Sequence, residues 1–326
     1  MRVFVTGAAG FIGSVVTEQL IAQGHEVVAF DNLSTGHREA VHPAATFIHG
    51  DLLDAGAVAP ALARRPVDAV VHLAAEALIG VSNIDPGRSF RINVCGGLNL
   101  LEAMAAAGVR RVVFSSSAAV YGLPERVPIT ESDRLDPINA YGDSKLMFER
   151  MLIWYRRAHQ FRYVCLRYFN AGGASEAYGE DREVETHIIP VAFEVAAGKR
   201  DHIELYGTDY ATRDGTCVRD YIHVSDIAGA HLLVLQHIDH LEARAYNLGT
   251  EAGHTNREVL DAVGRVVGRP VKVVPVGRRP GDPDALIASS AAIAQDLGWR
   301  PRYSELHALI ESGWRWRLAH PRGYAQ

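Results

Sequence analysis

The chain has 326 residues, enough for one large α/β core and a smaller appended lobe. Apolar residues make up 48% and charged residues 22%, the balance of an ordinary soluble enzyme. The formal net charge of -5 points to no nucleic-acid partner, and the pair Arg278 and Arg279 is too short to form a nucleic-acid face. Three cysteines, Cys95, Cys165 and Cys217, fit no metal knuckle or redox pair. No metal site is expected, and this usage suits a reducing cytoplasm. The opening MRVFVTGAAGFIG begins like a signal peptide, but its glycines arrive too early. No run approaches the roughly 18 apolar residues of a membrane span.

Strands and helices alternate from the first residues. Val3 to Thr6 reads as a buried strand and Ile12 to Gln23 as a helix closed by Gly24. Val27 to Phe30 and Thr46 to His49 read as strands, followed by a helix near Asp54 to Arg65. Ala69 to Leu73 is a strand apolar on both faces. Pro86 opens a long helix that stops at Gly108. Val112 to Ser115, Tyr141 to His159 and Arg162 to Tyr168 read as strand, helix and strand. Doubly apolar strands separated by helices predict a Rossmann-like doubly wound parallel sheet. The rhythm changes after about residue 172. A polar loop precedes a helix from His187 to Ala197, and an irregular stretch follows. Ser225 is expected to cap a helix to about His240, and Tyr246 to Leu248 to return to the large sheet. From Lys272 a strand, an Arg/Pro/Gly loop and two helices complete the chain. The expected division is therefore 1–172 with a later return near 220–250, and a smaller C-terminal α/β lobe over 173–326.

Gly7, Gly10 and Gly13 form a G-x-x-G-x-x-G loop between the first strand and first helix. Such a turn cradles a pyrophosphate, and the helix N-terminus adds free N–H groups. Asp31 ends the second strand about 20 residues on, where a carboxylate takes ribose hydroxyls. This favours NAD over NADP, with Arg38 the one contrary residue. Phe11, Ile12, Asn32, Leu33 and Ser34 belong to the same loops. Asp51 and Leu52, in GDL, are candidate adenine contacts. Leu73, Ala74 and Ala75, in HLAA, end the fourth strand with small side chains. Asn93, inside a helix, reads equally as a cofactor contact or a backbone partner.

Tyr141 and Lys145 lie four apart at a helix start and share one face. A neighbouring ammonium and the positive nicotinamide ring favour the phenolate, which can then accept a hydroxyl proton. Lys145 can also hold the nicotinamide ribose. Ser117 ends a serine-rich strand and is the hydroxyl expected to relay that proton. Ser115 and Ser116 are expected to buttress the loop, with Ser115 near the cofactor.

The glycine loop, Ser117 and Tyr141/Lys145 together resemble the extended short-chain dehydrogenase/reductase family. Within it the chain is similar to the UDP-glucose 4-epimerases over essentially its full length. LRYFNAGGA at Leu166 to Ala174, YGTDYATRDGTCVRDYIHVSDIA at Tyr206 to Ala228, RRPGD at Arg278 to Asp282 and HPRGY at His320 to Tyr324 carry this likeness. The resemblance implies NAD-dependent inversion at C4 of a UDP-hexose through a transient 4-keto sugar, and a homodimer. It places Tyr168 near the nicotinamide amide. Asn170 would hold a phosphate or sugar group, with His187 and Ile188 beside the nucleotide-sugar. It places Leu205 and Tyr206 by the uracil, Arg219 and Arg279 on the pyrophosphate, Asp282 on the uridine ribose and Leu286 at the hexose as a size gate. The family often has a basic residue where Glu76 and Ala77 stand, and a Glu where Val81 stands. Related dehydratases and decarboxylases place acids where Ala118 and Ala119 stand, and two alanines move no protons. A silent NAD-binding protein would lack part of Ser117, Tyr141 and Lys145. A 4-epimerase of UDP-N-acetylglucosamine or another UDP-sugar is the alternative that stays open.

Overall fold

The computed structural model describes residues 1–241, 243–279 and 281–324. Strand β1 (Arg2–Thr6) runs through the glycine loop into helix α1 (Phe11–Ala22), followed by β2 (Glu26–Asp31) and β3 (Thr46–His49). Helix α2 (Ala55–Ala63) begins where the Asp54 carboxylate accepts the Gly56 N–H at 2.9 Å. Then come β4 (Ala69–His72) and α3 (Ile79–Ile84). The helix predicted from Pro86 forms in three parts: α4 (Pro86–Ser89), a π-helical turn over Phe90–Cys95, and α5 (Gly96–Ala106). Next are β5 (Arg111–Ser117), α6 (Ala140–His159) and β6 (Arg162–Tyr168). Asn139 caps α6 by accepting the Gly142 N–H at 2.8 Å.

Short elements follow: β7 (Asn170–Gly172), α7 (Ile188–Ala196), β8 (Ile203–Tyr206), β9 (Val218–Arg219) and β10 (Tyr221–His223). Helix α8 (Val224–His237) begins before Ser225, so the expected serine cap is wrong. The His223 ring accepts the Ser225 N–H at 3.1 Å instead. It can do so because burial holds the imidazole neutral, at a pKa of about 4. The chain continues through β11 (Arg244–Leu248), β12 (His254–Thr255) and α9 (Asn256–Val267). Thr255 and Glu258 form a reciprocal capping box at the start of α9, and left-handed Gly268 ends it. The last elements are β13 (Val273–Val276), β14 (Ala285–Leu286), α10 (Ala291–Leu297) and α11 (Leu306–Ala319).

The large sheet has the order β11-β6-β5-β4-β1-β2-β3, and β1 to β6 pair in parallel. The direction of winding reverses between β1 and β4, so their C-terminal ends flank a ligand crevice. The core around this sheet is built from Phe4, Phe30, Leu100, Met104, Phe114 and Phe148.

The chain forms two compact units. One comprises Met1–Gly122, Arg134–Tyr168 and Ala228–Tyr246; the other comprises Leu123–Asp133, Phe169–Ile227 and Asn247–Gln326. The return segment is thus narrower than 220–250, and Leu123–Asp133 joins the second unit. Ile129 explains that departure: it is fully buried, bridges to Ala288, and its carbonyl accepts from Asn247 Nδ2 at 3.0 Å. The second unit has its own core, including Phe193, Leu205, Tyr221, Val259 and Leu309. No described helix is long and apolar enough to cross a membrane.

Candidate active site

The glycine loop is shaped by close approach. Gly7 has φ +70°, and a Cβ on Gly13 would lie 2.0 Å from the Gly7 carbonyl oxygen. A Cβ on Gly10 would meet only that same oxygen, at 3.4 Å. Gly10 therefore leaves open the space a pyrophosphate needs. Helix α1 begins there with no side-chain cap and no acid in its first turn. These features fit a dinucleotide. Asp31 is buried and accepts the Ala9 N–H at 3.0 Å and the Leu33 N–H at 2.8 Å. Burial raises its pKa, against those hydrogen bonds and the nearby His49. It thus braces the loop, and each oxygen keeps acceptor capacity for a ribose. Asn32 donates to Asp51 at 2.9 Å and accepts the Ser34 N–H at 3.0 Å. Leu52 is turned into the core, and its carbonyl accepts from Asn99 Nδ2 at 2.8 Å.

Asn93 is a structural brace. Its Oδ1 accepts the Glu76 N–H at 2.8 Å, and its Nδ2 donates to the Glu76 carbonyl at 3.0 Å and to Ser144 Oγ at 2.8 Å. Both amide hydrogens are engaged with protein partners, and one acceptor lone pair of Oδ1 stays available to a cofactor donor. The bonds tie the segment after HLAA to the start of α6. Glu76 itself is buried and pairs with Arg88 at 2.7 Å.

Ser144 Oγ donates to the Tyr141 carbonyl at 2.7 Å, so the same brace reaches the first turn of α6. Lys145 Nζ donates to the Ser115 carbonyl at 2.9 Å and lies 5.8 Å from the Tyr141 ring centre. Burial lowers the Lys145 pKa to about 7, with Glu149 opposing. Ser117 ends β5 opposite Tyr168 of β6, and its Oγ accepts the Ala119 N–H at 3.1 Å. Ser115 Oγ lies 3.0 Å from His231 Nε2, and Ser116 Oγ donates to Glu149 at 2.6 Å. Burial and the neighbouring Tyr141 raise the Tyr168 pKa, with Ser115 opposing. Ser117, Tyr141 and Lys145 thus stand on β5 and α6 of one unit.

In the second unit, Asn170, His187 and Ile188 line one cavity. Asn170 Nδ2 donates to the Asp220 carbonyl at 3.0 Å. Arg219 donates to the carbonyls of Val218 and Pro283, and its Nη2 lies 3.4 Å from Asp282. Leu286 is Arg219's register partner in the parallel β9/β14 pair and is half-buried. The Arg279 guanidinium sits 3.8 Å from the Tyr206 ring centre. Pro280 of RRPGD lies outside the described residues. Leu205 packs its side chain into the apolar core of this unit.

Sequence reasoning missed two groups. Glu149 and Arg167 form a buried bidentate pair beside Ser116, and Arg167 also donates to Tyr121 Oη at 2.9 Å. The i, i+4, i+8 spacing of Tyr141, Lys145 and Glu149 is the signal that was available. Glu180 and Glu185 approach the His187 ring, and only the acidity of their loop hinted at them.

The NAD dependent epimerase/dehydratase family matches residues 3–249. A UDP-glucose 4-epimerase of Lacticaseibacillus casei is 44% identical over 327 residues, covering 99% of each chain. Among solved structures, the UDP-glucose 4-epimerase of Brucella ovis in complex with NAD is 45% identical, with TM-score 0.93 over 96% of this chain and 97% of that one. That of Bifidobacterium longum in complex with NAD+ and UDP is 34% identical, with TM-score 0.95 over 99% and 100%. The sheet order, the glycine loop and these full-length matches agree, and the chain belongs to the NAD dependent epimerase/dehydratase family, among its UDP-glucose 4-epimerases.

Proposed function

We propose that this chain inverts C4 of a UDP-hexose with NAD, interconverting UDP-glucose and UDP-galactose. The observation that carries the reading is the set Ser117, Tyr141 and Lys145 on β5 and α6, next to Ala118 and Ala119 where no acid stands. In this reading the unit built from Met1–Gly122, Arg134–Tyr168 and Ala228–Tyr246 holds NAD, and the other unit mainly holds the UDP-sugar. NAD supplies reversible two-electron oxidation at the sugar carbon, which permits inversion through a transient 4-keto sugar. Gly7, Gly10, Phe11, Ile12 and Gly13 receive its pyrophosphate. Asp31 takes the adenosine ribose, with Asn32, Leu33, Ser34, Asp51 and Leu52 around the adenosine. Leu73, Ala74, Ala75, Ser115 and Tyr168 line its path.

Tyr141 accepts the O4 proton and returns it after the sugar has presented its other face. Lys145, as ammonium, stabilises the phenolate that makes this possible. Ser117 hydrogen-bonds the reacting oxygen and orients it. Asn170, His187, Arg219 and Arg279 supply donors for the diphosphate; paired guanidiniums suit that group. Tyr206 packs on the uracil, the Leu205 backbone borders it, and Asp282 takes the uridine ribose. Ile188 and Leu286 border the nucleotide-sugar. The reading also includes a cytoplasmic homodimer. Exposed Leu98 on α5, with Ile153 and Trp154 on α6, supports a helix-mediated contact. The test is interconversion of UDP-glucose and UDP-galactose by purified protein, beside Tyr141→Phe. The wild type should equilibrate the two sugars, and the variant should bind UDP-sugar yet lose nearly all turnover. Variant activity within about threefold of wild type would remove Tyr141 as the base.

A further inference from the structure

His187 is open on one edge of its ring and caged on the other. Its side chain is 44% exposed, while Nδ1 lies 3.0 Å from Glu185 Oε1 and 3.2 Å from Glu180 Oε1. Both carboxylates are buried. Glu185 Oε1 also accepts the N–H groups of Thr186 and His187, each at 2.8 Å. Its Oε2 is buried with no hydrogen-bond partner among the described residues. A buried carboxylate oxygen left this way is costly unless positive charge stands close. Arg182 Nε covers Glu180 at 2.8 Å. Two carboxylates thus face one guanidinium and one imidazole, and the charges cancel only when the imidazole carries its second proton.

The charge state decides what the open edge can do. With Nδ1–H donated to the carboxylates, a neutral ring presents a lone pair at Nε2, which repels a phosphate. Only the imidazolium presents an N–H at both nitrogens. We propose that Glu180 and Glu185 hold His187 as an imidazolium whose Nε2–H binds the diphosphate of the nucleotide-sugar, an inference that rests on the UDP-sugar reading above.

Desolvation lowers the ring's pKa, but the charge of Glu180 and the hydrogen bonds of Glu180 and Glu185 more than offset it and raise it to about 9; Arg182 opposes. The positive end of α7, which His187 caps, also opposes the proton. Arg200 donates to the Glu185 carbonyl, and Arg317 and Tyr221 line the same cavity. Arg317 is 4.0 Å from Glu194, so part of its field is cancelled. The two carboxylates in contact with the ring outweigh these terms. The donor atoms of Glu180, Glu185 and His187 fall within 4.8 Å of one another. A divalent cation in place of the proton would leave an excess of positive charge beside Arg182.

The test has two readouts on NAD-loaded protein. Imidazole NMR, assigned by loss of one signal in His187→Asn, should show His187 titrating above pH 8, and at lower pH in Glu185→Gln and Glu180→Gln. Calorimetry should show UDP binding about 10- to 100-fold weaker in His187→Asn at pH 7, the loss of one charge-assisted contact. The two affinities should converge as pH rises through 9. The uracil imide also titrates there, but equally in both proteins, so the difference isolates His187. Titration near pH 6.5, unchanged UDP affinity in the variant, or stoichiometric Zn²⁺ binding that His187→Asn abolishes would each overturn the inference. Failure of wild-type protein to bind UDP at all would instead sink the UDP-sugar reading, and the NMR titration separates the two failures.

Discussion

Glu149→Gln tests how Lys145, the proposed support of the Tyr141 phenolate, keeps its charge. Glu149 is one helical turn beyond Lys145, buried, and holds Arg167 through contacts of 2.9 and 2.6 Å. Its charge raises the Lys145 pKa against the desolvation that lowers it to about 7. At that value roughly half of the lysine is protonated at pH 7. Loss of the carboxylate's charge lowers the value further. A drop of about one unit, or about 1.4 kcal/mol, leaves roughly a tenth protonated. If the ammonium is what favours the Tyr141 phenolate, kcat at pH 7 falls about fivefold. The sign follows: activity is lost as pH rises through the Lys145 pKa, so the alkaline limb moves to lower pH. The same substitution leaves a buried guanidinium unpaired, which typically costs about 3–5 kcal/mol. Stability and chemistry separate in the double variant Glu149→Gln/Arg167→Met. Removing both charges should restore much of the stability while the alkaline limb stays displaced. The assay is kcat for UDP-galactose conversion between pH 5.5 and about 9.5, beside denaturant unfolding of each protein. An alkaline limb that stays at the wild-type position in both variants refutes the role given to Glu149.

Three further outcomes are expected. The protein should purify with NAD, and Asp31→Ala should retain less of it, measured by chromatography of nucleotide released on denaturation; release of NADP from the wild type would overturn the specificity. Leu286 should favour UDP-glucose and UDP-galactose over UDP-N-acetylglucosamine by roughly 5- to 150-fold in kcat/KM, from about 1–3 kcal/mol of crowding by the acetamido group. Leu286→Tyr should widen that ratio and Leu286→Ser narrow it, and an equal ratio in all three proteins removes the gate. Sedimentation should give a dimer, and Trp154→Glu on α6 should weaken it; a concentration-independent wild-type monomer ends that reading.

What could be read from the sequence divides along a physical line. The glycine loop, Asp31 and the Tyr141/Lys145 pair are local: a turn, a strand end and one helical step determine where their atoms go. Composition and periodicity were enough for these, and for β1 to β6. The π-helical turn over Phe90–Cys95 was not legible, because one extra residue in a turn leaves an apolar pattern nearly unchanged. Nor was the use of Asn93, whose partners Glu76 and Ser144 come from two other segments. Strands such as β9 and β14 are two residues long, shorter than any period, and exist only because distant chain pairs with them. Glu149 marks the boundary. Its place on the face of Tyr141 and Lys145 follows from spacing alone, yet that face alone would make it a buried, unpaired acid. Arg167 resolves this from β6, where the buried run Tyr163–Leu166 is followed by one guanidinium turned inward. A charged residue inside a buried strand and an acid on a buried helix face are each anomalies by themselves. Together they predict each other, and that pairing of anomalies is the sequence signal from which the charge beside Lys145 could have been found.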